Sequence, residues 1–297
     1  MTTLTQNQID DAARVRRRQR RGTTKRSLKY ALTTAVTLVF FAPIYYLLVG
    51  SLKPNDQVLD GFGGFVPKNL SFNNYVNVVS IFDSESTGYF WNFFVSSAIV
   101  SVVIVLGGLV VNSMAAYALA RLRWRGRNLI LGIIILLVIL PFEAIAVPLF
   151  YLMLDFRNSY FVQYIPFVAS AFSIFLFYTF FIGLPSEIQE AARLDGAGPF
   201  KVFFSVIVPM SKPVFASVTI LTFLAAWNSF LWPVMVVGGD AVGVRPLPLE
   251  IVVFFGKVKN WGEIFAFGVM LVAPVMAVFL SFQRFFIQSV ASSAVKG

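Results

Sequence analysis

The sequence contains no cysteine and no histidine among its 297 residues. Without cysteine, disulfide bonds and thiolate chemistry are excluded. Without histidine, the chain lacks the commonest metal ligand and the usual general base near neutral pH. The nucleotide-binding pattern G-x-x-x-x-G-K-[ST] is also missing, so a phosphate-cradling loop of that kind is excluded. We therefore expect no catalytic residue and no metal site, and we expect that this chain binds no cofactor itself.

Charged residues are scarce, at 13% of the chain, whereas 58% of the residues are hydrophobic. A soluble domain of this size needs far less apolar surface. Crossing a hydrocarbon core of about 30 Å takes about 20 helical residues, and several apolar segments reach that length. The six segments lie near residues 30–50, 90–120, 129–154, 160–184, 214–237 and 264–287. The sequence therefore predicts an all-α, polytopic membrane protein with six transmembrane helices.

The net charge of +10 is concentrated towards the amino terminus. Nine Lys and Arg residues lie in residues 1–29, which we interpret as a basic cytoplasmic tail before a transmembrane domain of residues 30–297. The apolar run after this tail is too long for a secretory signal, and no clear cleavage pattern follows it. A basic juxtamembrane tail is typical of contact with anionic membrane lipid. Nucleic-acid binding is the alternative, but no aromatic residues interleave with the arginines, so we expect no nucleic-acid partner.

Lys and Arg residues in the connections predict the orientation of the spans. With the amino terminus inside the cell, 18 of them fall on inner segments and 6 on outer segments. Both termini and the connection around Glu190 are therefore expected in the cytoplasm. The two longer outer connections are residues 51–89 and 238–262, which either contact an extracytoplasmic partner or only join spans. Within the second, residues 247–256 are apolar but too short to span, which predicts an interfacial or re-entrant piece.

The predicted cytoplasmic connection between the fourth and fifth spans contains a short polar helix. Ser186 and Gln189 have the spacing of a capping box, which predicts where the helix begins. Gly196 and Gly198 follow the last helical residue and are expected to provide left-handed caps. A helix of roughly nine residues is too short to persist alone in water. It is either an ordinary surface helix or a helix that docks on a partner.

A family resemblance begins in this connection. The residues that carry it are Glu190-Ala191-Ala192, Gly196 and Val206-Ile207-Val208-Pro209. They resemble the EAA loop of binding-protein-dependent ABC transporter permeases, in which E-A-A-x-x-x-G is followed by I-x-L-P. Val206 and Val208 replace the Ile and Leu of that pattern, apolar for apolar.

Further stretches resemble the carbohydrate-uptake branch of the same family, and the likeness covers about residues 30–297. The matching stretches are residues 115–121, 227–233 and 283–297. The last of them is similar to the tail of the maltose-type second permease subunit. Ser229 stands where an acidic residue is common, and Ser293 replaces a usual glycine, so the roles of those family residues do not carry over.

The resemblance implies that the short helix is a coupling helix, which seats in a cleft of a cytoplasmic ATPase subunit. The implied ATPase-coupling residues are Glu190, Ala191, Ala192, Asp195 and Gly196. It also implies a second homologous permease subunit, two ATP-binding cassette ATPase subunits that bind ATP and Mg²⁺, and an extracytoplasmic substrate-binding protein. The chain is then a non-enzymatic permease subunit of a sugar importer in a bacterial cytoplasmic membrane.

Polar and aromatic residues in the spans provide candidates for the translocation path. The candidates are Glu143, Trp227, Asn228 and Trp232. Polar groups in lipid are costly and tend to face the bundle interior. Glu143 faces either the headgroups or a water-filled path, and Asn228, like Asn112, either bridges helices or lines that path. The two tryptophans are either platforms for a sugar ring or interfacial anchors.

The alternative function is an ion-coupled secondary transporter of small solutes. That class favours internal repeats and embedded ionisable relays. This sequence shows no evident repeat, one embedded acid and no Lys or Arg in the middle of a span. A membrane enzyme is a further alternative, but no nucleophile–base pair is present. Sugar, polyol and glycerol phosphate remain alternatives for the cargo.

Overall fold

The structure is a computed structural model that describes residues 6–84 and 88–294, with side chains described over residues 26–83 and 88–285. Most of the predicted basic tail and the end of the carboxyl-terminal stretch lie outside the described side chains, so both interpretations stay predictions. The proposed boundary at residue 29 also stays a prediction, and the first helix continues across it.

The described residues form helices and one small strand pair. The α-helices are α1 (Gln6–Gly50), α2 (Asn55–Val58), α3 (Asn73–Ile81), α4 (Phe90–Arg121), α5 (Arg127–Ile139), α6 (Phe142–Leu152), α7 (Tyr160–Val168), α8 (Ala171–Ile182), α9 (Ser186–Leu194), α10 (Pro199–Val202), α11 (Val208–Met210), α12 (Lys212–Trp227), α13 (Leu231–Val236), α14 (Ile251–Lys257) and α15 (Trp261–Ala294). Short 3₁₀ turns cover Gly61–Phe65, Leu154–Phe156, Val242–Val244 and Leu247–Glu250, and a π-helical turn covers Phe203–Ile207. The antiparallel strands β1 (Asp83–Ser84) and β2 (Gly88–Tyr89) pair Asp83 with Tyr89.

Length and composition identify the membrane spans among these helices. In the described part of the chain, the candidates without a sharp bend are Arg26–Gly50, Phe90–Arg121, Tyr160–Ile182 and Trp261–Phe285. Two bent pairs, α5 with α6 and α10–α11 with α12, raise the number of spans from 4 to 6 if each pair is one span. The prediction of an all-α polytopic membrane protein is confirmed.

The third predicted span is bent by 105° between α5 and α6. Pro141 disfavours helical backbone at the residue before it, and Leu140 accordingly has an extended ψ of 122°. Pro141 then occupies the cap position directly before α6, which begins at Phe142. The apolar segment was placed correctly, and the proline explains why it is two helices instead of one.

The fourth predicted span is divided between α7 and α8 at Ala169 and Ser170. Asn112 of α4 donates a hydrogen bond from Nδ2 to the backbone oxygen of Val168 (3.0 Å). Its Oδ1 accepts a hydrogen bond from the backbone N–H of Ser170 (2.9 Å). These bonds satisfy backbone groups that the break leaves without helical partners. Asn112 therefore bridges helices, which was one of its two interpretations.

The chain divides into two compact units, and the first comprises residues 1–74 and 260–266. Within it, the Lys53 side chain is 2% exposed, and its Nζ donates to the backbone oxygens of Gly63 (2.7 Å) and Gly64 (3.1 Å). Asn74 Nδ2 donates to the backbone oxygens of Ser51 (2.9 Å) and Lys53 (2.8 Å). These bonds satisfy buried donors, as burial requires, and fix the segment that follows α1.

The second unit comprises residues 75–259 and 267–297, and it contains the predicted coupling residues and path residues. Its central helix is α4, which packs against α7, α8 and α12. One buried cluster, here the α9-side cluster, consists of Ala116, Tyr117, Phe177, Phe181, Val202, Phe203, Ile207, Val214 and Val218. A second cluster consists of Val162, Trp232, Val236, Val237 and Leu249.

Candidate coupling helix and translocation cavity

Helix α9 begins at Ser186 and ends at Leu194, with a length of 9 residues that matches the prediction. The capping-box prediction is wrong. Pro185, with φ of −57° and ψ of 132°, occupies the cap position, and no side chain makes a capping hydrogen bond. Because the proline ring already fixes φ near the helical value, the helix starts one residue earlier than a serine cap requires.

The carboxyl end of α9 is closed by Gly196, whose φ is +80°. The N–H of Ala197 donates to the Ala192 oxygen, and the N–H of Gly196 donates to the Arg193 oxygen, both at 3.0 Å. This pair of bonds is the Schellman arrangement. Gly198 has φ of −70° and ψ of 167° and is the N-cap of α10, so the prediction of a second left-handed cap is wrong. The proline that follows it restricts it to extended backbone.

One side of α9 is packed and the other is exposed. Gln189 is buried, and Ala192 packs against the α9-side cluster. Leu194 is 89% exposed and Ile188 is 41% exposed. The predicted coupling residues that are exposed are Glu190, Ala191, Asp195 and Gly196. The helix therefore presents acidic, small and apolar groups together on a free surface, and their contact with an ATPase stays a prediction.

Arg121, the last residue of α4, fixes the chain that leads into α9. Its Nη2 donates to the backbone oxygens of Phe181 and Leu184. These carbonyls lie at the end of α8, where helix carbonyls lack helical partners. The sequence showed Arg121 only as a basic residue at the inner end of a span. Its partners are 60 and 63 residues away, so no local pattern indicates this bond.

A π-helical turn anchors the chain that leaves α9. The Val208 N–H donates to the oxygen of Phe203, five residues earlier. Pro209 follows, and because a proline has no N–H, it leaves an upstream carbonyl without its usual helical donor. Phe203 and Ile207 of this turn are buried in the α9-side cluster. Helix α9 is thus held to packed helices at both of its ends.

A cavity of about 610 Å³ lies in the second unit, a volume in the range of small-molecule sites. It is lined from α4, α6, α7, α8, α12 and α13. Its polar side chains are Ser97, Gln163, Ser170, Ser173, Thr222 and Ser229, and its aromatic ones are Phe142, Phe167, Phe172, Phe230 and Trp232. Most of these residues are not predictable from the sequence, because single hydroxyls and phenylalanines in a span do not indicate which side faces a cavity.

Trp232 is the one predicted path residue that lines this cavity. Its Nε1 donates to the backbone oxygen of Val162 (2.8 Å), which fixes the orientation of the indole ring. Trp227 is also buried, but its Nε1 donates to the Leu271 oxygen of α15 (2.9 Å), and it does not line the cavity.

The other two predicted path residues lie outside the cavity lining. Asn228 is exposed, and its Nδ2 donates to the Leu224 oxygen one turn earlier (2.9 Å). Glu143 is exposed in the first turn of α6, where the helix dipole favours an acid. The structure therefore separates the four candidates instead of bringing them together.

Comparisons with known proteins identify the family. Residues 108–292 match the family described as "Binding-protein-dependent transport system inner membrane component". The chain is similar to the arabinooligosaccharides transport system permease protein AraQ of Halalkalibacterium halodurans, with 31% identity over 91% of this chain and 97% of the relative. AraQ of Bacillus subtilis is 32% identical over 88% of this chain and 92% of its own.

Two further similarities extend the comparison. The sn-glycerol-3-phosphate transport system permease protein UgpE of Pectobacterium atrosepticum is 29% identical over 88% of this chain and 94% of its own. In the crystal structure of a bacterial ABC transporter involved in the import of the acidic polysaccharide alginate, one chain shares this fold. It has a TM-score of 0.72 and 24% identity, over 96% of this chain and 100% of that one. The protein is a multi-pass membrane protein, and it belongs to the family of binding-protein-dependent transport system inner membrane components.

Proposed function

We propose that this chain is a membrane-spanning permease subunit of an ATP-driven sugar importer in a bacterial cytoplasmic membrane. The observation that carries the proposal is α9, a helix between two spans whose acidic and small residues are exposed while its opposite side is packed. The family and the arabinooligosaccharide relatives support import of a sugar.

Helix α9 is the contact for one of two ATPase subunits, which bind the ATP and Mg²⁺ that this chain does not. Glu190 pairs with a basic residue of the ATPase cleft, and Ala191 allows close approach. The basic residues of the inner connections support a cytoplasmic α9 and cytoplasmic termini. A second homologous permease subunit and an extracytoplasmic binding protein complete the importer.

The attachments of α9 suggest how movement reaches the spans. Arg121 ties the chain between α8 and α9 to α4, and the π-helical turn ties the end of α9 to the α9-side cluster. A displacement of α9 by ATPase closure then moves the attached helices as a rigid body and changes access to the cavity.

The cavity supports a neutral sugar as cargo in preference to a glycerol phosphate. Its lining contains aromatic rings for the C–H faces of a sugar and hydroxyl and amide groups for its hydroxyls. Its described lining contains no Lys or Arg, the side chains that recognise phosphate.

The substitution Glu190→Lys tests the proposal. We expect the variant to reach the membrane at normal levels, but to lose co-purifying ATPase subunits or to lose uptake, because the charged contact becomes repulsive. The measurements are pull-down of the ATPase subunits and uptake of labelled sugar in cells that express the complete transport system.

Asp240→Lys is the matched control, since it makes the same charge change at an exposed residue of an outer connection. It is expected to leave both measurements unchanged. Normal co-purification and normal uptake in Glu190→Lys would overturn the coupling role. Uptake that continues without any ATPase subunit and depends on an ion gradient would favour the secondary transporter.

A further inference from the structure

The connection between α4 and α5 carries a dense positive charge with no acid near it in sequence. Four arginines, at positions 121, 123, 125 and 127, fall within seven residues, and no Asp or Glu occurs in residues 88–142. Arg121 is occupied with the carbonyls at the end of α8. The other three have no ion pair or hydrogen bond to the described part of the chain. The positive charges of Arg123, Arg125 and Arg127 are therefore available to bind an anion that does not belong to this chain.

Two of these free arginines line the same hollow. Arg123 and Arg127 enclose a space of about 350 Å³ together with Trp124, Gly126, Asn128 and Leu129. Arg125 is exposed on the same turn but does not line the hollow. Two arginines that line one concave space are suited to the oxygens of a phosphate group, which accept charge-assisted hydrogen bonds.

The backbone of the hollow adds donors of the same kind. Gly126 has φ of +88°, and α5 begins directly after it. No side chain caps this helix and its first turn contains no acid. Its first N–H groups are therefore without helical partners at the edge of the hollow. These groups support the arginines in favouring an anion.

An apolar surface continues from the hollow along α5. Leu129, which lines the hollow, is 69% exposed, and Ile133 and Leu136 are 46% and 61% exposed. The spacing of these three residues puts them on one helix face. Trp124 is fixed at the same level, because its Nε1 donates to the Ala118 oxygen (3.1 Å). Tryptophan is enriched at the boundary between headgroups and hydrocarbon, so the hollow lies at a suitable depth for a headgroup.

We propose that this hollow is a binding site for the phosphate group of an anionic phospholipid. Arg123 and Arg127 donate to the phosphate oxygens, and an acyl chain lies along the face of Leu129, Ile133 and Leu136. A phosphate with an attached hydrocarbon chain fits both halves of this surface. A free phosphate ion uses only the basic half, and the acidic surface of a soluble protein leaves the apolar half exposed to water.

Lipid titration of the purified full chain, with any subunits that co-purify, tests the site. The probes are phosphatidylglycerol, phosphatidylcholine and inorganic phosphate, and native mass spectrometry counts the bound molecules. We expect selective binding of phosphatidylglycerol. Arg123→Gln and Arg127→Gln should each lower its affinity by about tenfold or more, as expected for a lost hydrogen bond between charged groups.

Arg125→Gln is the matched control, because it removes the same charge from the same turn outside the hollow. It should lower the affinity by less than about threefold, as expected for an unpaired surface charge. All three variants should fold normally, since none of these side chains has a partner in the described chain.

Three results would overturn the site. Equal losses in the three variants would indicate diffuse attraction instead of a defined hollow. Binding of inorganic phosphate as tightly as phosphatidylglycerol would assign the hollow to a free anion. No preference for phosphatidylglycerol over phosphatidylcholine, together with loss of the ATPase subunits from Arg123→Gln and Arg127→Gln, would assign it to a protein partner.

Discussion

At the scale of single residues, the backbone of Gly196 determines where α9 ends. Its φ of +80° is easily adopted by glycine and costs other residues about 1–2 kcal/mol. The position where a Cβ would lie is open, so the cost of a side chain there is conformational and not steric. The sequence identified this glycine correctly because the left-handed cap is a local property of the chain.

Gly196→Ala should therefore loosen α9 without disturbing its surroundings. We expect the last turn of the helix to open more easily by about 1 kcal/mol, which corresponds to roughly fivefold faster exchange of its amide hydrogens. Hydrogen–deuterium exchange with mass spectrometry on peptides that cover α9 measures this difference.

Gly198→Ala is the control for that experiment. Its φ is −70° and its Cβ position is also open, so alanine fits without strain. Exchange in α9 should be unchanged or slightly slower in this variant. Equal acceleration in both variants would contradict the assignment of the helix end to Gly196 alone.

At the scale of helices, some interruptions of the spans can be predicted from the sequence more easily than others. The bend between α5 and α6 is indicated by Pro141. The break between α7 and α8 has only weaker local signals, Pro166 within α7 and the N-cap Ser170 of α8, and a hydrogen-bonding side chain on α4 stabilises it. Apolar length and proline thus predict the extent of the spans and one interruption, whereas the other interruption depends on a contact between helices far apart in sequence.

Asn112→Leu should destabilise the chain by about 1–3 kcal/mol, because it leaves the Val168 oxygen and the Ser170 N–H unpaired in a buried place. The measurement is the free energy of unfolding in detergent micelles.

Asn228→Leu provides the comparison, since Asn228 is exposed and bonds only within its own turn. A surface substitution of this kind usually changes stability by less than about 0.5 kcal/mol. If the two leucine variants lose the same stability, the bridge across the break between α7 and α8 does not stabilise the fold.

At the scale of the whole chain, one buried ion pair makes stability depend on pH. Glu250 is 1% exposed and lies 2.8 Å from Arg245, measured from Oε1 to Nε. It belongs to the connection between the last two predicted spans, outside the membrane-spanning segments. Burial raises the pKa of the Glu250 carboxyl from its usual 4.5 to about 7, because desolvation outweighs the attraction of Arg245 and Lys257.

A raised carboxyl pKa means that the folded chain holds a proton which the unfolded chain has already lost. The stability that the folded chain gains from holding this proton on Glu250 is complete below about pH 4.5, and it is lost as the pH rises towards 7. We therefore expect a lower unfolding temperature at pH 8 than at pH 5. Glu250→Gln should reduce this difference, because its side chain does not titrate.

Asp240→Asn, at an exposed residue of the same connection, should leave the pH dependence as it is. Thermal unfolding followed by intrinsic tryptophan fluorescence at the two pH values provides the comparison. An unchanged pH dependence in Glu250→Gln would contradict the assignment to this carboxyl.

The architecture and α9 were accessible from the sequence because both depend on local patterns: apolar length, the spacing of small residues and a terminal glycine. The cavity was not accessible. Its lining comes from six helices, and of the four proposed path residues only Trp232 reaches it. Which side of a span faces a cavity is decided by tertiary packing, and residues such as Gln163 and Thr222 gain their position only when the helices assemble.

The mostly apolar lining of that cavity has a kinetic consequence. In the proposed importer, a compartment with few hydrogen-bonding groups offers a hydrated solute little compensation for lost water, so we expect residence there to be brief. Transport benefits from weak binding of the solute, because a solute that is bound weakly is also released quickly. In the proposed importer, discrimination between related solutes then falls to a stronger binder upstream.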